Sequence, residues 1–140
     1  MKTQFTISAF ALIRDDKNRI LLCLRNDNDL WNLPGGTLEH GEAPWECVIR
    51  EVKEETGLDV EIIKLACVYN KEGKNAIGFD FECNIIGGKF TLSNESKDIK
   101  WFLKDEIPKN IVLRQIERIN DFLENNKEIR LKTLKEKSLK

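Results

Sequence analysis

Six glutamates (Glu39, Glu42, Glu46, Glu51, Glu54 and Glu55) stand between residues 36 and 58 against Arg50 and Lys53. So much like charge in one short stretch is unfavourable unless a cation is held there, and grouped carboxylate oxygens suit a hard divalent ion. In a helix, successive side chains turn by roughly 100°. With Glu51 at zero, Glu54 lies near roughly −60° and Glu55 near roughly +40°, so the three carboxylates share a face. Val48, Val52, Trp45 and Ile49 occupy a separate arc, from roughly +60° to +160°, the stripe expected to meet a core. A solvated acidic face is the plain alternative. It leaves unexplained why like charges sit at i and i+4, where they repel. A divalent ion bound here would neutralise anionic oxygens and acidify a bound water, and a neighbouring carboxylate could take that water's proton.

Such a helix needs defined ends. Pro44 suits its first turn, where the missing N–H has no partner to lose, and Gly57 suits the left-handed position beyond its end. The Gly35-Gly36 pair ahead of it forms a turn with exposed carbonyls. The residues around this unit read mostly as strands: Thr3 to Arg14 and Ile20 to Arg25 joined by a turn at Asp15-Asp16-Lys17-Asn18. Asp59 to Tyr69 follows, then Asn75 to Ile86 and Lys89 to Leu92 about a Gly87-Gly88 hairpin signal, and Ile99 to Leu103. Val112, Ile116, Ile119 and Leu123 recur at helical spacing, predicting a second helix over Ile111 to Asn125. Strands with two well-separated helices predict an α/β fold, a mixed sheet covered on both faces.

The chain has 140 residues, one domain's worth with a real core. Residues 1–126 are expected to form that domain, and 127–140 a basic tail or helical extension, with six basic residues against two acidic. The formal net charge of −1 gives no global pull toward nucleic acid. No apolar run approaches a membrane span and no signal-peptide layout is seen. Cys23, Cys47, Cys67 and Cys83 are widely spaced without a C-x-x-C pair, as buried free thiols would be. The expectation is a cytoplasmic protein, monomer or homodimer.

Gly36, five residues, Glu42, seven residues, then Arg50-Glu51-Val52-Lys53-Glu54-Glu55-Thr56-Gly57-Leu58 resembles the Nudix box, G-x5-E-x7-R-E-U-x-E-E-x-G-U with U apolar. Every fixed position is matched. The approach Trp31-Asn32-Leu33-Pro34-Gly35 also resembles that of MutT-like members. The resemblance implies the Nudix α/β/α sandwich, with a mixed β-sheet and the Nudix loop-helix. It also implies Mg2+ as cofactor, with Mn2+ as the alternative, and hydrolysis of a pyrophosphate bond, a phosphorus-containing acid anhydride. Carried over by residue, Glu51, Glu54 and Glu55 inherit the ligand and base roles, with the Gly36 carbonyl as a further ligand. Arg50 is expected to orient a box carboxylate, Glu42 to support the loop, Glu39 to stand outside, and Glu46 to be a solvated partner of Arg50. Glu95, six residues before Trp101, is the leading acid outside the box, with Asp98 as competitor.

For the substrate, a nucleotide-type small molecule, Arg25 is a candidate phosphate contact. Trp31 either stacks on a base or anchors a loop in the core. Asn110 stands near the place where MutT-like enzymes set an asparagine against a purine. Residues 70 to 78, NKEGKNAIG, lack the proline of many ADP-ribose hydrolases and the tyrosine of dinucleoside-polyphosphate hydrolases. The favoured expectation is therefore a nucleoside triphosphate cleaved to monophosphate and pyrophosphate. ADP-ribose or another nucleoside-diphosphate derivative, an RNA 5′ end, and a non-catalytic nucleotide sensor are the alternatives. The basic tail alone supports the RNA end, and the complete acid set speaks against the sensor.

Overall fold

The computed structural model describes residues 2–124 and 127–135. Side-chain alternation in its first two strands divides the interior into two cores. In β1 (Thr6–Ile13), Ala9, Ala11 and Ile13 point to one side and Leu12 to the other; in β2 (Ile20–Arg25), Leu21 and Cys23 separate in the same way from Ile20 and Leu22. The first set packs with Val48 and Val52 of α1 (Pro44–Thr56), the second with Ile119, Phe122 and Leu123 of α2 (Leu113–Leu123). The expected α/β/α sandwich results.

The remaining strands are β3 (Trp31–Asn32), β4 (Gly35–Thr37), β5 (Leu58–Lys71), β6 (Ala76–Gly88), β7 (Ser96–Phe102) and β8 (Arg130–Leu134). A five-stranded mixed sheet has the order β4-β1-β6-β5-β8, with β1/β6 and β5/β8 parallel. A three-stranded antiparallel sheet has the order β3-β2-β7. The turn after β1 forms as its sequence predicts. Asp15 accepts the Lys17 and Arg19 N–H groups at 3.0 and 2.8 Å, and Asn18 takes φ 61°.

Three expectations need correction. Lys89 to Leu92 is not a strand: β6 ends at Gly88, and Thr91 N–H donates to the Thr56 carbonyl at 2.8 Å, closing the chain over the end of α1. Residues 130–134, expected as tail or helical extension, form β8, because their backbone pairs with the free edge of β5 and Leu134 is buried beside Cys67 and Tyr69. Residues 136–140 lie outside the described residues, as does Asn125, the expected end of α2. Trp45 and Ile49, placed on the core stripe of α1, are 54% and 40% exposed, whereas Cys47 and Glu55 are buried. The helix is rolled so that Cys47 and Glu55 lie against Gly36 and Gly35, while Glu54 stays exposed.

All four cysteines are buried and free. No helix among the described residues is long and apolar enough to cross a membrane. Helix α2 is tied to the sheet by a buried ion pair. Arg118 donates to Asp80 of β6 at 2.6 and 3.1 Å, and its guanidinium stacks 4.0 Å from the centroid of the Tyr69 ring.

Candidate active site

Gly35 and Gly36, expected as a turn, instead open strand β4, paired with Phe10 and Ala9 of β1 and lying against the inner face of α1. Gly35 has φ 151°, and a side chain there would overlap the Ala9 carbonyl. Its N–H donates to Glu55 Oε2 at 3.0 Å, so α1 holds the start of β4 from beneath. A Cβ on Gly36 would stand 2.9 Å from the Glu51 carboxyl carbon. Gly36→Ala is therefore expected to displace that carboxylate and lower kcat about 100-fold, the scale of an ångström-sized misplacement, with an unchanged circular dichroism spectrum. Full activity would show that Glu51 has no fixed role there.

Helix α1 begins where Glu46 Oε1 accepts the Ala43 N–H at 2.9 Å and ends at Gly57, φ 80°. Glu46 is thus an N-terminal cap, correcting its expected pairing with Arg50. Arg50 instead gathers the other acids: Glu42 at 2.6 and 2.9 Å, Glu51 at 2.9 Å, Glu54 at 3.0 Å, and Glu39 more loosely at 3.6 Å. Such charge-assisted contacts fix carboxylate orientation. The Arg50 guanidinium and the Glu39 N–H hold the Glu42 carboxyl down at about 2.

One carboxylate oxygen from each of Glu51, Glu54 and Glu95 lies within 4.8 Å of the others. Glu51 and Glu54 come from α1, while Glu95 comes from the loop before β7. That loop is fastened to the end of β2, where Asn26 N–H donates to the Glu95 carbonyl at 3.0 Å and Asn26 Nδ2 to the Asn94 carbonyl at 2.6 Å. Burial together with the Glu51 and Glu54 charges pushes the Glu95 carboxyl up from its usual range. Asp98 is engaged with the Ile99 N–H and Lys100. Glu55 stands behind the cluster, 4% exposed; burial, then Glu51, pushes its carboxyl to about 9. The donor set of Glu51, Glu54 and Glu95 is all oxygen and short of positive charge, which fits a hard divalent cation. Cys47, a sulfur beside the acids, donates to the Gly36 carbonyl at 3.6 Å, and burial pushes its thiol to about 12.

Beside Gly35 and Gly36 opens a cleft of about 310 Å³, walled by β1, β3, β4, the end of β5 and the start of α2. Arg25 lines it but is held by both oxygens of Asp27, at 2.9 and 2.7 Å. Trp31 does not line it. Its ring is 7% exposed and packs edge-on against Phe102 at 4.9 Å, in the core under α2, which corrects the stacking expectation. Asn110 is not in the cleft wall either. Its Nδ2 donates to the Asp29 carbonyl at 2.9 Å and its own carbonyl accepts the Trp31 N–H, so it pins two loops together. The polar residues that line the cleft instead include Asn32, Gln115, Ser8, Tyr69 and Lys71. Asn32 and Gln115 are 4% and 3% exposed, and their sequence context announced burial, not a site. The detectable signal was an asparagine between Trp31 and Leu33, polar where both neighbours are apolar.

The model of the NUDIX domain matches residues 4–122. A MutT-like protein of Streptomyces ambofaciens is 37% identical over 116 residues, covering 83% of this chain and 75% of that protein. A Bacillus subtilis strain 168 protein named "Putative 8-oxo-dGTP diphosphatase" is 30% identical over 136 residues, 96% of this chain and 91% of the relative. The crystal structure of an ADP-ribose pyrophosphatase from Streptococcus suis superposes with a TM-score of 0.81 at 27% identity, over 93% of this chain and 99% of that one.

Proposed function

The chain belongs to the Nudix hydrolases, enzymes of nucleoside-diphosphate derivatives, and from that premise we propose that it cleaves a nucleoside triphosphate to the monophosphate and pyrophosphate with Mg2+. The observation that carries this reading is the convergence of Glu51, Glu54 and Glu95 within 4.8 Å, next to a cleft large enough for a nucleoside. Those three carboxylates, with the Gly36 carbonyl and Glu55 behind them, are the groups that would hold the ion. When bound, a divalent ion supplies charge neutralisation on the phosphate oxygens and a more acidic water.

The remaining work falls to the chain itself. One of the exposed box carboxylates accepts the proton of the attacking water; we assign this to Glu54, whose side chain is 42% exposed where Glu51 is 14%. Water oxygen bonds to phosphorus as the bridging P–O bond breaks, and the pyrophosphate leaves with that oxygen. Arg50 keeps Glu51 and Glu54 oriented throughout. Arg25, beside the cleft and the acids, would meet the phosphates by exchanging Asp27 for a stronger anion.

A panel of nucleoside triphosphates, ADP-ribose, dinucleoside polyphosphates and 5′-capped RNA, assayed by chromatography, separates the substrate classes. Pyrophosphate plus monophosphate from at least one triphosphate is expected, abolished by a chelator and restored by Mg2+ or Mn2+. Cleavage of ADP-ribose alone would replace this reading by the second one, which the named activity of the Streptococcus suis structure supports. Tight nucleotide binding without any product would make the protein a sensor.

A further inference from the structure

Two of the three clustered carboxylates ride on α1, where Arg50 orients them. The third, Glu95, stands at the end of the loop 89–95 that joins β6 to β7. A ligand on a free loop must be ordered each time an ion binds, and that lost entropy is subtracted from the affinity. How the loop is held therefore bears on the metal as directly as the carboxylate does. Within the loop, Ser93 Oγ accepts the Glu95 N–H at 3.1 Å. Its first half is tied to the end of α1 through Thr91 N–H and the Thr56 carbonyl. The second half is held from β2.

Pairing of β2 with β7 runs in register from Ile20 and Phe102 to Leu24 and Asp98, then slips, so that Arg25 faces Ser96. The extra residue is Lys97, which is exposed and pairs with Asp29. Bulges of this kind re-aim the side chains beside them. Here the slip sets Asn26 against Glu95. The Asn26 N–H donates to the Glu95 carbonyl at 3.0 Å, and its Nδ2 donates to the Asn94 carbonyl at 2.6 Å. Each peptide unit is planar, so holding the carbonyls on both sides of the Glu95 Cα fixes its φ and ψ and the direction of its side chain. Asn28, two residues on, serves its own turn instead, accepting the Leu30 N–H at 3.1 Å. The reach across to the other loop belongs to Asn26, and it needs a donor: aspartate, of the same shape, has none when ionised.

We propose that Asn26 is a positioning residue for the divalent ion, holding the Glu95 carboxylate beside Glu51 and Glu54 before the ion arrives. It touches neither ion nor substrate and acts through the backbone of the Asn94–Glu95 segment. The inference rests on the reading of Glu51, Glu54 and Glu95 as the groups that hold the ion. It adds a residue, outside the glutamate-rich stretch, that sets how tightly they do so.

The test is a double-mutant cycle read by Mn2+ binding, titrated by electron spin resonance on the nucleotide-free protein. Asn26→Ala is expected to raise the Mn2+ Kd about fivefold, the scale of one lost hydrogen bond, and Glu95→Gln about tenfold or more. The double variant is expected to bind no more weakly than Glu95→Gln alone, because Asn26 acts only through Glu95. A residue that merely supports the fold would instead add its effect to that of Glu95→Gln, and additive losses overturn the inference. A wild-type Kd for Asn26→Ala overturns it too, while leaving Glu95 among the ligands. A wild-type Kd for Glu95→Gln removes Glu95 from the ion and the inference with it. In hydrolysis, the Mg2+ concentration for half-maximal rate should shift by the same factor in Asn26→Ala, with kcat at saturating Mg2+ within about threefold of wild type. The Mn2+ cycle decides even where no nucleotide is cleaved. Asn26 is exposed, so the substitution is tolerated by packing; Asn26→Leu, similar in shape and without a donor, carries the same test should Asn26→Ala not fold.

Discussion

Glu54→Gln is expected to lower kcat about 1,000-fold, within the range that removal of a general base produces, while the protein folds as before. The change is isosteric and the side chain is 42% exposed, so packing is undisturbed. Arg50 loses one partner of several and keeps Glu42 and Glu51, which preserves the local frame. What disappears is one of three carboxylates meeting within 4.8 Å, and with it the group proposed to accept the proton. Pyrophosphate release at saturating Mg2+, alongside circular dichroism and a thermal melt, measures the two sides separately. A variant that turns over within threefold of wild type across the nucleotide panel would remove Glu54 from the site. An equal loss of melting temperature and activity would make its role one of folding.

Arg118→Met should destabilise the fold by about 3–5 kcal/mol, the scale for leaving a buried carboxylate without its partner. Asp80 is fully buried on β6, where two hydrogen bonds join it to this guanidinium. Arg118 also donates to the Arg114 carbonyl at 2.9 Å and covers the Tyr69 ring, which itself packs on Gly78. Removing the second charge as well, in Arg118→Met/Asp80→Leu, is expected to recover most of the loss, since the cost lies in the unpaired charge more than in the missing contact. Urea unfolding of the two variants measures the difference. Equal destabilisation by the single and double variants would mean that packing, not charge, dominates at this position.

Much of the catalytic side was legible because it is local. The helix from Pro44 to Gly57 is bounded by its own proline and glycine, and a single helical face suffices to bring Glu51 and Glu54 together. The turn at Asp15 to Asn18 closes through its own side chains. Elsewhere, local pattern misled. Gly87-Gly88 has the form of a hairpin turn, but Gly88 packs against the Gly57 carbonyl and the chain turns to cover α1. In β8 the residues Arg130 and Leu131 are both exposed and only Leu134 is buried, so no alternation marks the strand. An edge strand needs only one hydrogen-bonded neighbour, and that neighbour, β5, lies some sixty residues earlier.

The amino-acid sequence by itself determined the bond that is broken: the spacing of Gly36, Glu42, Arg50, Glu51, Glu54 and Glu55 identifies the family and its pyrophosphate chemistry. Periodicity also determined the two helices and most of the strands, since both depend on neighbours a few residues apart. Only the tertiary structure decided which side chains face the cleft and the acidic cluster. It carried Glu95 across to the helix by fastening its loop to Asn26, turned Trp31 into the core, used Asn110 as a loop tie, and left Asn32 and Lys71 in the cleft wall. Residue type cannot make those assignments. Whether an asparagine or a tryptophan meets ligand or core depends on which distant strand and helix close over it, and those contacts span the whole chain.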